Sequence, residues 1–197
     1  MEKPIELNSI KLFFDSNVYF PREDSILLSE TIHVFPKAKV LDLGCGTGFI
    51  GLIAAKQKAK VLCSDINPFA LKLAEKNAEE NKLEIKTIQS NLFSEIKEKF
   101  DFIFFNPPYM IEKGKRDEWI DKALNGGKKG REIIDKFIPL IKIHLTEKGK
   151  CFFLQSNLNG IKETQKKLEK EKLSFKTEKK KKLFFEELMV FEVWAEK

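Results

Sequence analysis

The sequence predicts an α/β fold with a mostly parallel sheet, on three observations. Short β-rich runs alternate with segments of helical spacing, as is typical of parallel strands joined by helices. These runs are KVLDL (39–43), KVLCSD (60–65), EIKTIQ (84–89), FDFIFF (100–105) and GKCFFLQ (149–155). The last two runs, 173–185 and 186–194, adjoin without room for a crossover helix, so we expect an antiparallel hairpin. The length of 197 residues fits a single domain over 1–197.

Two helical segments between these strands each show one apolar face. Asn67 and Pro68 predict the start of the first, because asparagine caps helices and proline fits their first turn. Its inner face consists of Ala70, Leu73, Ala74, Asn77 and Ala78. The inner face of the second consists of Ile133, Ile134, Phe137, Ile138 and Ile141. Pro139 is expected to kink this second helix.

Residues 1–38 are less regular and are predicted to form an extension that packs on the functional site. Two β-like runs, 10–14 and 18–20, flank a predicted turn. The segment 22–35, which follows Pro21, is predicted to be a helix.

Charge, cysteine and histidine content exclude several classes of protein. The net charge is +6, but 33 lysines stand against 3 arginines, so a nucleic-acid partner is allowed rather than implied. Cys45, Cys63 and Cys151 lie in apolar runs without CxxC spacing, which excludes a disulfide framework and argues against a metal site. The only histidines, His33 and His144, are expected to serve packing or the surface. Since no apolar stretch approaches the roughly 18 residues of a membrane span, we expect a soluble, cytoplasmic protein without membrane contact.

A glycine-rich turn, VLDLGCGTG, follows the strand 39–43. Its glycines, which let the backbone turn tightly and approach a ligand closely, are Gly44, Gly46 and Gly48. Asp42 precedes them, where a carboxylate repels a pyrophosphate but accepts from an ammonium group. Asp65 ends the next strand about twenty residues later, where an acid accepts from both ribose hydroxyls. Ammonium plus ribose describes S-adenosylmethionine better than a dinucleotide, and the alternative is a tight turn with incidental acids.

The strand 84–89 leads into Asn91 and Leu92, where an adenine ring would lie in this layout. Asn91 could accept from the adenine amino group, and Leu92 could offer a backbone amide and an apolar edge. A simple turn is nearly as good an interpretation of this pair.

The strand 100–105 runs directly into Asn106-Pro107-Pro108-Tyr109, at the edge where open α/β sheets bind ligands. Because proline has no N–H, the carbonyls of Asn106 and Pro107 are free to accept, together with the Asn106 side-chain oxygen. These acceptors suit a planar NH2 group whose nitrogen faces a methyl donor, and Tyr109 supplies a flat wall. Such a site works by positioning and charge, without a histidine or carboxylate base. The alternative is a rigid turn after a buried strand.

On these residues the chain resembles the S-adenosylmethionine-dependent methyltransferases of the Rossmann-like seven-stranded fold, and within them the HemK-like glutamine methyltransferases. The resemblance is closest to the compact archaeal and eukaryotic branch, which modifies release factors and lacks the helical amino-terminal domain of bacterial members. Three further runs carry it: VYFPREDSILL (18–28), SDINPFAL (64–71) and NGGKKGREIIDKFIPLI (125–141). The resemblance implies the strand order 3-2-1-4-5-7-6, with the last strand antiparallel and helices on both faces.

The resemblance also implies roles for cofactor residues. Ser25 would contact the methionine end of the cofactor, and Asp42 with Gly44 would hold its amino acid moiety. Asp65 would bind the ribose, with Ile66 beside it as a further cofactor residue. Asn91 stands where an aspartate is common in the family, which puts cofactor affinity rather than function in doubt.

The implied substrate residues follow the strand 100–105. Asn106 would hold the glutamine amide, with Pro107, Pro108 and Tyr109 completing the wall. Gly127 and Arg131 belong to a loop that resembles part of the substrate mouth. That loop contains Gly126, Gly127, Gly130, Arg131 and Glu132. A helix entry that needs a flexible backbone explains the loop equally well.

The implied reaction is methylation of a glutamine side-chain amide, such as that of a Gly-Gly-Gln sequence in a class-1 release factor. Adenine-amino or guanine-amino methyltransferases of RNA or DNA remain alternatives, because those amino groups present the same two donors. A protein lysine methyltransferase and a silent cofactor-binding scaffold are further alternatives. The lysines Lys179, Lys180, Lys181 and Lys182 could contact RNA phosphates, although a solvated, charge-protected strand is the simpler interpretation.

In the implied strand order, the strand 84–89 is a sheet edge that another chain can extend. Apolar side chains near this edge are Leu83, Ile85 and Ile88, with Phe69 and Leu73 on the preceding helix. The resemblance implies a small zinc-binding activator subunit at this edge. The alternative is that Lys82, Glu84 and Lys86 already protect the edge and the chain works alone.

Overall fold

The computed structural model describes residues 3–111 and 119–196. A small hairpin of β1 (Ile5–Leu7) and β2 (Ile10–Leu12) precedes the main sheet. The main sheet contains β3 (Lys39–Leu43), β4 (Lys60–Asp65), β5 (Lys86–Gln89), β6 (Phe100–Phe105), β7 (Leu145–Ser156), β8 (Leu173–Lys182) and β9 (Glu187–Ala195).

The strands of the main sheet lie in the order β5-β4-β3-β6-β7-β9-β8. The five strands from β5 to β7 are parallel, and β9 is antiparallel to both β7 and β8. Numbered without the small hairpin, this is the order 3-2-1-4-5-7-6, so the predicted fold class is confirmed. The parallel strands all end at one side of the sheet, which we call the carboxyl edge.

Six helices accompany the sheet in the described residues: α1 (Glu23–Ser29), α2 (Phe49–Lys56), α3 (Pro68–Asn81), α4 (Trp119–Leu124), α5 (Glu132–His144) and α6 (Ile161–Lys170). Side chains of α1, α2 and α3 pack into one apolar core on one face of the sheet. Side chains of α5 and α6 pack into a second core on the other face. The helices therefore cover both faces, and loops are left to build the carboxyl edge.

The amino-terminal predictions are partly wrong. The helix predicted over 22–35 ends at Ser29, because the hydroxyl groups of Ser29 and Thr31 donate to helix carbonyls and compete with the regular ladder. The run 18–20 is not a strand, and the pairing of β1 with β2 was not predicted.

Two strand boundaries also differ from the predictions. The strand predicted over 84–89 starts at Lys86, because α3 ends at a left-handed Lys82 and the chain needs several residues to reach the sheet. β7 starts at Leu145 rather than 149, since Leu145 already pairs with Phe100. Pro139 lies inside α5, which continues to His144. None of the described helices is long and apolar enough to cross a membrane.

Candidate functional site

The glycine-rich turn joins β3 to α2 and requires its glycines. Gly44, Gly46 and Gly48 have φ values of 64°, 52° and 78°, a region that L side chains rarely adopt. A Cβ atom on Gly48 would lie 2.9 Å from the Cβ of Ala74 on α3. Only glycine therefore lets the start of α2 pack this closely on α3.

Two carboxylates flank this turn at the carboxyl edge. Asp42 Oδ2 accepts from the Gly51 N–H at 2.8 Å, which ties β3 to α2. Asp65 accepts from the Gly46 N–H and the Asn67 N–H, both at 2.9 Å. These bonds fix both side chains, and each carboxylate oxygen has a second lone pair for a ligand.

Burial raises the pKa of both carboxyl groups. The pKa of Asp42 rises from 3.8 to about 7, first because the group is desolvated and further because the negative charge of Asp65 is near. Desolvation likewise raises the pKa of Asp65. Two desolvated acids side by side, of which Asp65 makes ionisation of Asp42 costlier, form a site that favours a positively charged ligand.

A cavity of about 480 Å³ opens in front of this turn, within the range of roughly 300–1,000 Å³ that is usual for small-molecule sites. It is lined by these predicted site residues: Ser25, Asp42, Gly44, Gly46, Asp65, Ile66, Asn91, Leu92, Asn106, Pro108 and Gly127. Four other predicted residues, Gly48, Pro107, Tyr109 and Arg131, do not line it. The carboxyl ends of β3, β4, β5 and β6 thus converge on one cavity.

The predicted adenine region forms a tight turn after β5. Ser90 is buried, and its Oγ donates to the Leu92 carbonyl at 2.8 Å. Leu92 adopts a φ of 51°, and Asn91 is exposed. The Asn91 N–H donates to Ser94 Oγ at 3.3 Å. The cofactor contacts of Asn91 and Leu92 stay predictions.

Asn106 is held by two side chains of the amino-terminal segment. Its Nδ2 donates to Asp24 Oδ2 at 3.0 Å and to Ser25 Oγ at 3.2 Å. A carboxylate can only accept, so this contact fixes which end of the amide faces Asp24. Asn106 Oδ1 therefore points the other way, and it is buried with no hydrogen-bond partner among the described residues. A buried acceptor without a partner is costly unless a ligand supplies the donor.

Asp24 is the functional residue that the sequence reasoning missed. It is 4% exposed, and besides Asn106 it accepts from the Ser25 N–H at 2.6 Å, the Ser25 hydroxyl and the hydroxyls of Tyr19 and Tyr109. Burial, followed by the charge of Asp24, raises the pKa of both tyrosines, which remain neutral donors. The feature of the sequence that could have indicated Asp24 is its position as an acid at the start of a short helix, within the run 18–28. In that run a role was predicted only for Ser25.

The loop after α4 contacts, through its backbone, the end of the turn 106–109, which we call the catalytic turn after its predicted role. The Met110 N–H donates to the Leu124 carbonyl, and the Gly126 N–H donates to the Met110 carbonyl, at 2.9 and 2.8 Å. A Cβ atom on Gly130 would lie 2.3 Å from the Tyr109 carbonyl oxygen, so this glycine permits the close approach.

Arg131 points away from the cavity. Its guanidinium donates to both carboxylate oxygens of Asp135 and to the carbonyls of Asn159 and Gly160, at 2.6 to 3.0 Å. These contacts tie α5 to the end of β7. They support the helix-entry interpretation for Arg131, whose contact with substrate stays a prediction.

Both histidines and two of the cysteines, Cys63 and Cys151, lie outside the cavity, whereas Cys45 lines it. His144 is buried, stacks on Phe93 and bonds to backbone carbonyls, whereas His33 is exposed. The cysteines are buried free thiols. Within residues 3–111 and 119–196, no group of three or more His, Cys, Asp or Glu could hold a metal ion.

Comparisons with known proteins agree with this geometry. The model of the methyltransferase small domain matches residues 22–184. A Methanocaldococcus jannaschii protein, provisionally named a protein N5-glutamine methyltransferase, is 45% identical over 195 residues, which cover 96% of this chain and 98% of that protein. The release factor glutamine methyltransferase of Lactococcus lactis is 35% identical over 159 residues, which cover 75% of this chain and 59% of that enzyme.

Among solved structures, the chain is similar to the Mtq2–Trm112 complex of E. cuniculi, which is responsible for methylation of the translation termination factor eRF1. The TM-score is 0.73 at 25% identity, and the match covers 91% of this chain and 99% of the matched chain.

Proposed function

Because this chain belongs to the methyltransferase small domain family, and within it to the HemK-like glutamine methyltransferases, we propose that it methylates a glutamine side-chain amide with S-adenosylmethionine as the methyl donor. The observation that carries this proposal is the unpartnered Asn106 Oδ1. The orientation of this oxygen is fixed by Asp24, and Asn106 lines the cavity. This oxygen is the acceptor that a planar NH2 group needs.

The residues at the glycine-rich turn fit S-adenosylmethionine. That cofactor carries a positively charged ammonium and sulfonium, which suit the buried Asp42 and the half-buried Asp65. Asp42 and Gly44 would hold its amino acid end, together with Ser25, and Asp65 would accept from its ribose hydroxyls. Asn91, Leu92 and Ile66, which also line the cavity, would contact the adenosine part.

S-adenosylmethionine supplies an electrophilic methyl group when it is bound. An amide nitrogen is a weak nucleophile, because its lone pair is delocalised into the carbonyl. Asn106 Oδ1 would accept from an N–H group of the substrate and withdraw positive charge from its nitrogen. The Pro107 carbonyl, the second acceptor that the sequence predicts, belongs to a buried residue that does not line the cavity, so its contact with the substrate stays a prediction. The hydrogen bond to Asn106 Oδ1 would strengthen as the N–C bond forms and the bond between sulfur and the methyl carbon breaks. The sulfonium would leave as a neutral thioether, and one N–H proton would then pass to water. Pro107 and Pro108 keep the turn rigid, and Tyr109 orients it through Asp24.

We propose a class-1 release factor as the protein that presents the glutamine. The L. lactis relative is named for release factors and the E. cuniculi neighbour for eRF1, whereas the M. jannaschii protein, which matches nearly the whole of this chain, is named only for protein glutamine methylation. The glutamine would enter beside Pro108 and Gly127, which line the cavity next to Asn106.

A small activator subunit at the β5 edge is part of this proposal. β5 is the first strand of the sheet, and within residues 3–111 and 119–196 no strand pairs with its outer side. Ile66 and Phe69 nearby are exposed. The E. cuniculi neighbour is a complex of Mtq2 with Trm112. Leu73 is buried against Val18, so the expectation that it contributes to this surface is wrong.

Methyl transfer to a defined peptide tests the function. The chain, alone and with Trm112, is incubated with labelled S-adenosylmethionine and a Gly-Gly-Gln peptide, and the product is analysed by mass spectrometry. Peptides with asparagine or lysine in place of the glutamine, and bulk RNA, are the controls. We expect a single methyl group on the glutamine amide. Preferential labelling of RNA or of the lysine peptide would contradict the proposal.

A further inference from the structure

The tip of the hairpin formed by β8 and β9 exposes two phenylalanines that its turn does not require. The Leu183 N–H donates to the Glu186 carbonyl at 2.7 Å, so Phe184 and Phe185 are the central pair of a tight turn. Such positions favour Gly, Asn, Asp or Pro. The two rings stack edge to face and are 92% and 85% exposed. Residues that contradict turn chemistry and leave large apolar surface in water indicate a role in binding.

This tip lies on the same side of the molecule as the catalytic turn. Leu188, just after the tip, pairs with Ser156, the last residue of β7. Since β7 is parallel to β6, which leads into Asn106, the tip belongs to the carboxyl edge. Leu183 packs partly buried in the same apolar core as Tyr109.

Two hydrogen bonds connect the hairpin tip to the catalytic turn through the segment after β7. The Glu187 N–H at the base of the tip donates to Asn157 Oδ1 at 2.9 Å. Two residues further along, Asn159 Nδ2 donates to the Tyr109 carbonyl at 2.8 Å. The hairpin is therefore tied to the catalytic turn through the short segment after β7.

Exposed apolar side chains line this route. We call them the apolar rim, and they are Met110, Ile111, Leu158, Phe184 and Phe185. Met110 and Ile111 directly follow the catalytic turn, and Leu158 lies between the two hydrogen bonds described above. The rim thus extends from the catalytic turn to the hairpin tip.

Positive charge lies beside the rim, on the last residues of β8. Lys179, Lys180 and Lys182 are exposed, and Lys181 is half-buried. Lys179 forms an ion pair with Glu30 at 3.5 Å. A register shift between Thr177 and Lys179 changes which side chains of β8 point to each face of the sheet. As a result, Leu183 packs on the core beside α1. Lysines then project on both sides of the strand near its end.

We propose that the apolar rim and the lysines of β8 dock the body of the protein substrate whose glutamine enters the site. This rests on the proposed function and adds to it the place where a folded substrate is recognised. The fitting partner surface is apolar and bordered by acidic side chains. Aromatic residues are enriched at protein interfaces, and the lysines supply charge complementarity to an acidic border.

A protein fits this surface better than RNA. Glu186 and Glu187 directly follow the two phenylalanines and would repel phosphates at the tip. The surface is also at the opposite end of the sheet from β5. The substrate and an activator subunit could therefore bind at the same time.

The test compares a folded substrate with a short one. The double variant Phe184→Ser/Phe185→Ser is assayed with eRF1 and with the Gly-Gly-Gln peptide, in the full chain with Trm112 present. The matched control is Ile143→Ser, which changes an exposed apolar side chain near the end of α5. We expect kcat/KM on eRF1 to fall about tenfold or more through KM. Activity on the peptide, cofactor affinity and the control should stay within about twofold of wild type.

A charge reversal, Lys180→Glu/Lys182→Glu, should raise KM for eRF1 and weaken its dependence on salt, while peptide activity is retained. Unchanged eRF1 kinetics in both variants, or an equal loss on eRF1 and peptide, would overturn the docking surface alone. RNA binding that both variants lose would overturn it in favour of a nucleic acid. A wild-type chain that methylates neither eRF1 nor peptide would overturn the proposed function and this surface together.

Discussion

Replacing Asp24 by asparagine should reverse the orientation of the Asn106 amide. Asp24 Oδ1 accepts from the Ser25 N–H at 2.6 Å, and Oδ2 accepts from Asn106 Nδ2 at 3.0 Å. In Asp24→Asn the remaining oxygen satisfies the Ser25 N–H, so the new NH2 group faces Asn106 Nδ2. Two donors cannot bond, and the Asn106 amide rotates to offer Oδ1 to the new NH2 group. The substrate then loses its acceptor.

The expected loss of turnover follows from the hydrogen bond between Asn106 Oδ1 and the substrate amide, whose nitrogen becomes positively charged during the reaction. A hydrogen bond to a charged group contributes about 1.5–3 kcal/mol, which corresponds to roughly 10- to 150-fold in rate. Because Asp24 does not line the cavity, the loss should appear in kcat while the cofactor Kd stays near wild type. Single-turnover methylation of the Gly-Gly-Gln peptide measures the first quantity and calorimetry the second.

Tyr19→Phe is the matched control for this variant. It removes a donor to Asp24 but leaves the contact between Asp24 and Asn106 in place. We expect kcat to change by about threefold or less, because Tyr109 and the Ser25 N–H still donate to Asp24 and its contact with Asn106 is unchanged. If Asp24→Asn keeps wild-type turnover, or loses turnover and cofactor affinity equally, Asp24 does not act by orienting Asn106.

Three further predictions concern the cofactor and the activator. Asp65→Ala should weaken S-adenosylmethionine binding by about 1.5–3 kcal/mol in calorimetry, and an unchanged Kd would remove Asp65 from the site. The pKa of Asp42 is raised from 3.8 to about 7 in the folded protein. Between about pH 4 and 7 the folded protein therefore holds a proton that the unfolded chain has released, so the free energy of unfolding should fall as the pH rises through this range. Chemical denaturation at several pH values should show this decrease of the free energy of unfolding in wild type and a smaller decrease in Asp42→Asn. Equal decreases in the two proteins would contradict the prediction. Ile85→Lys should abolish co-purification with Trm112 but leave cofactor binding by the isolated chain, and retained co-purification would exclude the β5 edge.

The sheet was predictable because its strands carry their signals locally. The runs 39–43, 60–65 and 100–105 match β3, β4 and β6 residue for residue. The hairpin of β8 and β9 was predictable because too few residues separate its two strands for a helix to lie between them. Asn67 caps α3 through a bond from the Phe69 N–H, as its position before a proline indicates.

The amino-terminal segment was less predictable because its structure depends on distant contacts. Gln57, just after α2, accepts from the Val34 N–H and donates to the Ile32 carbonyl, which engages backbone groups that a continued helix would use itself. The role of Asp24 depends likewise on Asn106, 82 residues away in sequence. Local propensity cannot report such contacts, so the sequence indicated the acceptor amide but not the group that orients it.

Truncation of Asn106 tests the central claim most directly. Asn106→Ala deletes the unpartnered Oδ1 and leaves the glycine-rich turn intact. We predict that turnover on the Gly-Gly-Gln peptide falls about a hundredfold or more, equivalent to about 2.7 kcal/mol, while the Kd for S-adenosylmethionine stays within about twofold of wild type. Turnover close to wild type in a variant that still binds the cofactor would contradict the claim that this oxygen holds the substrate amide.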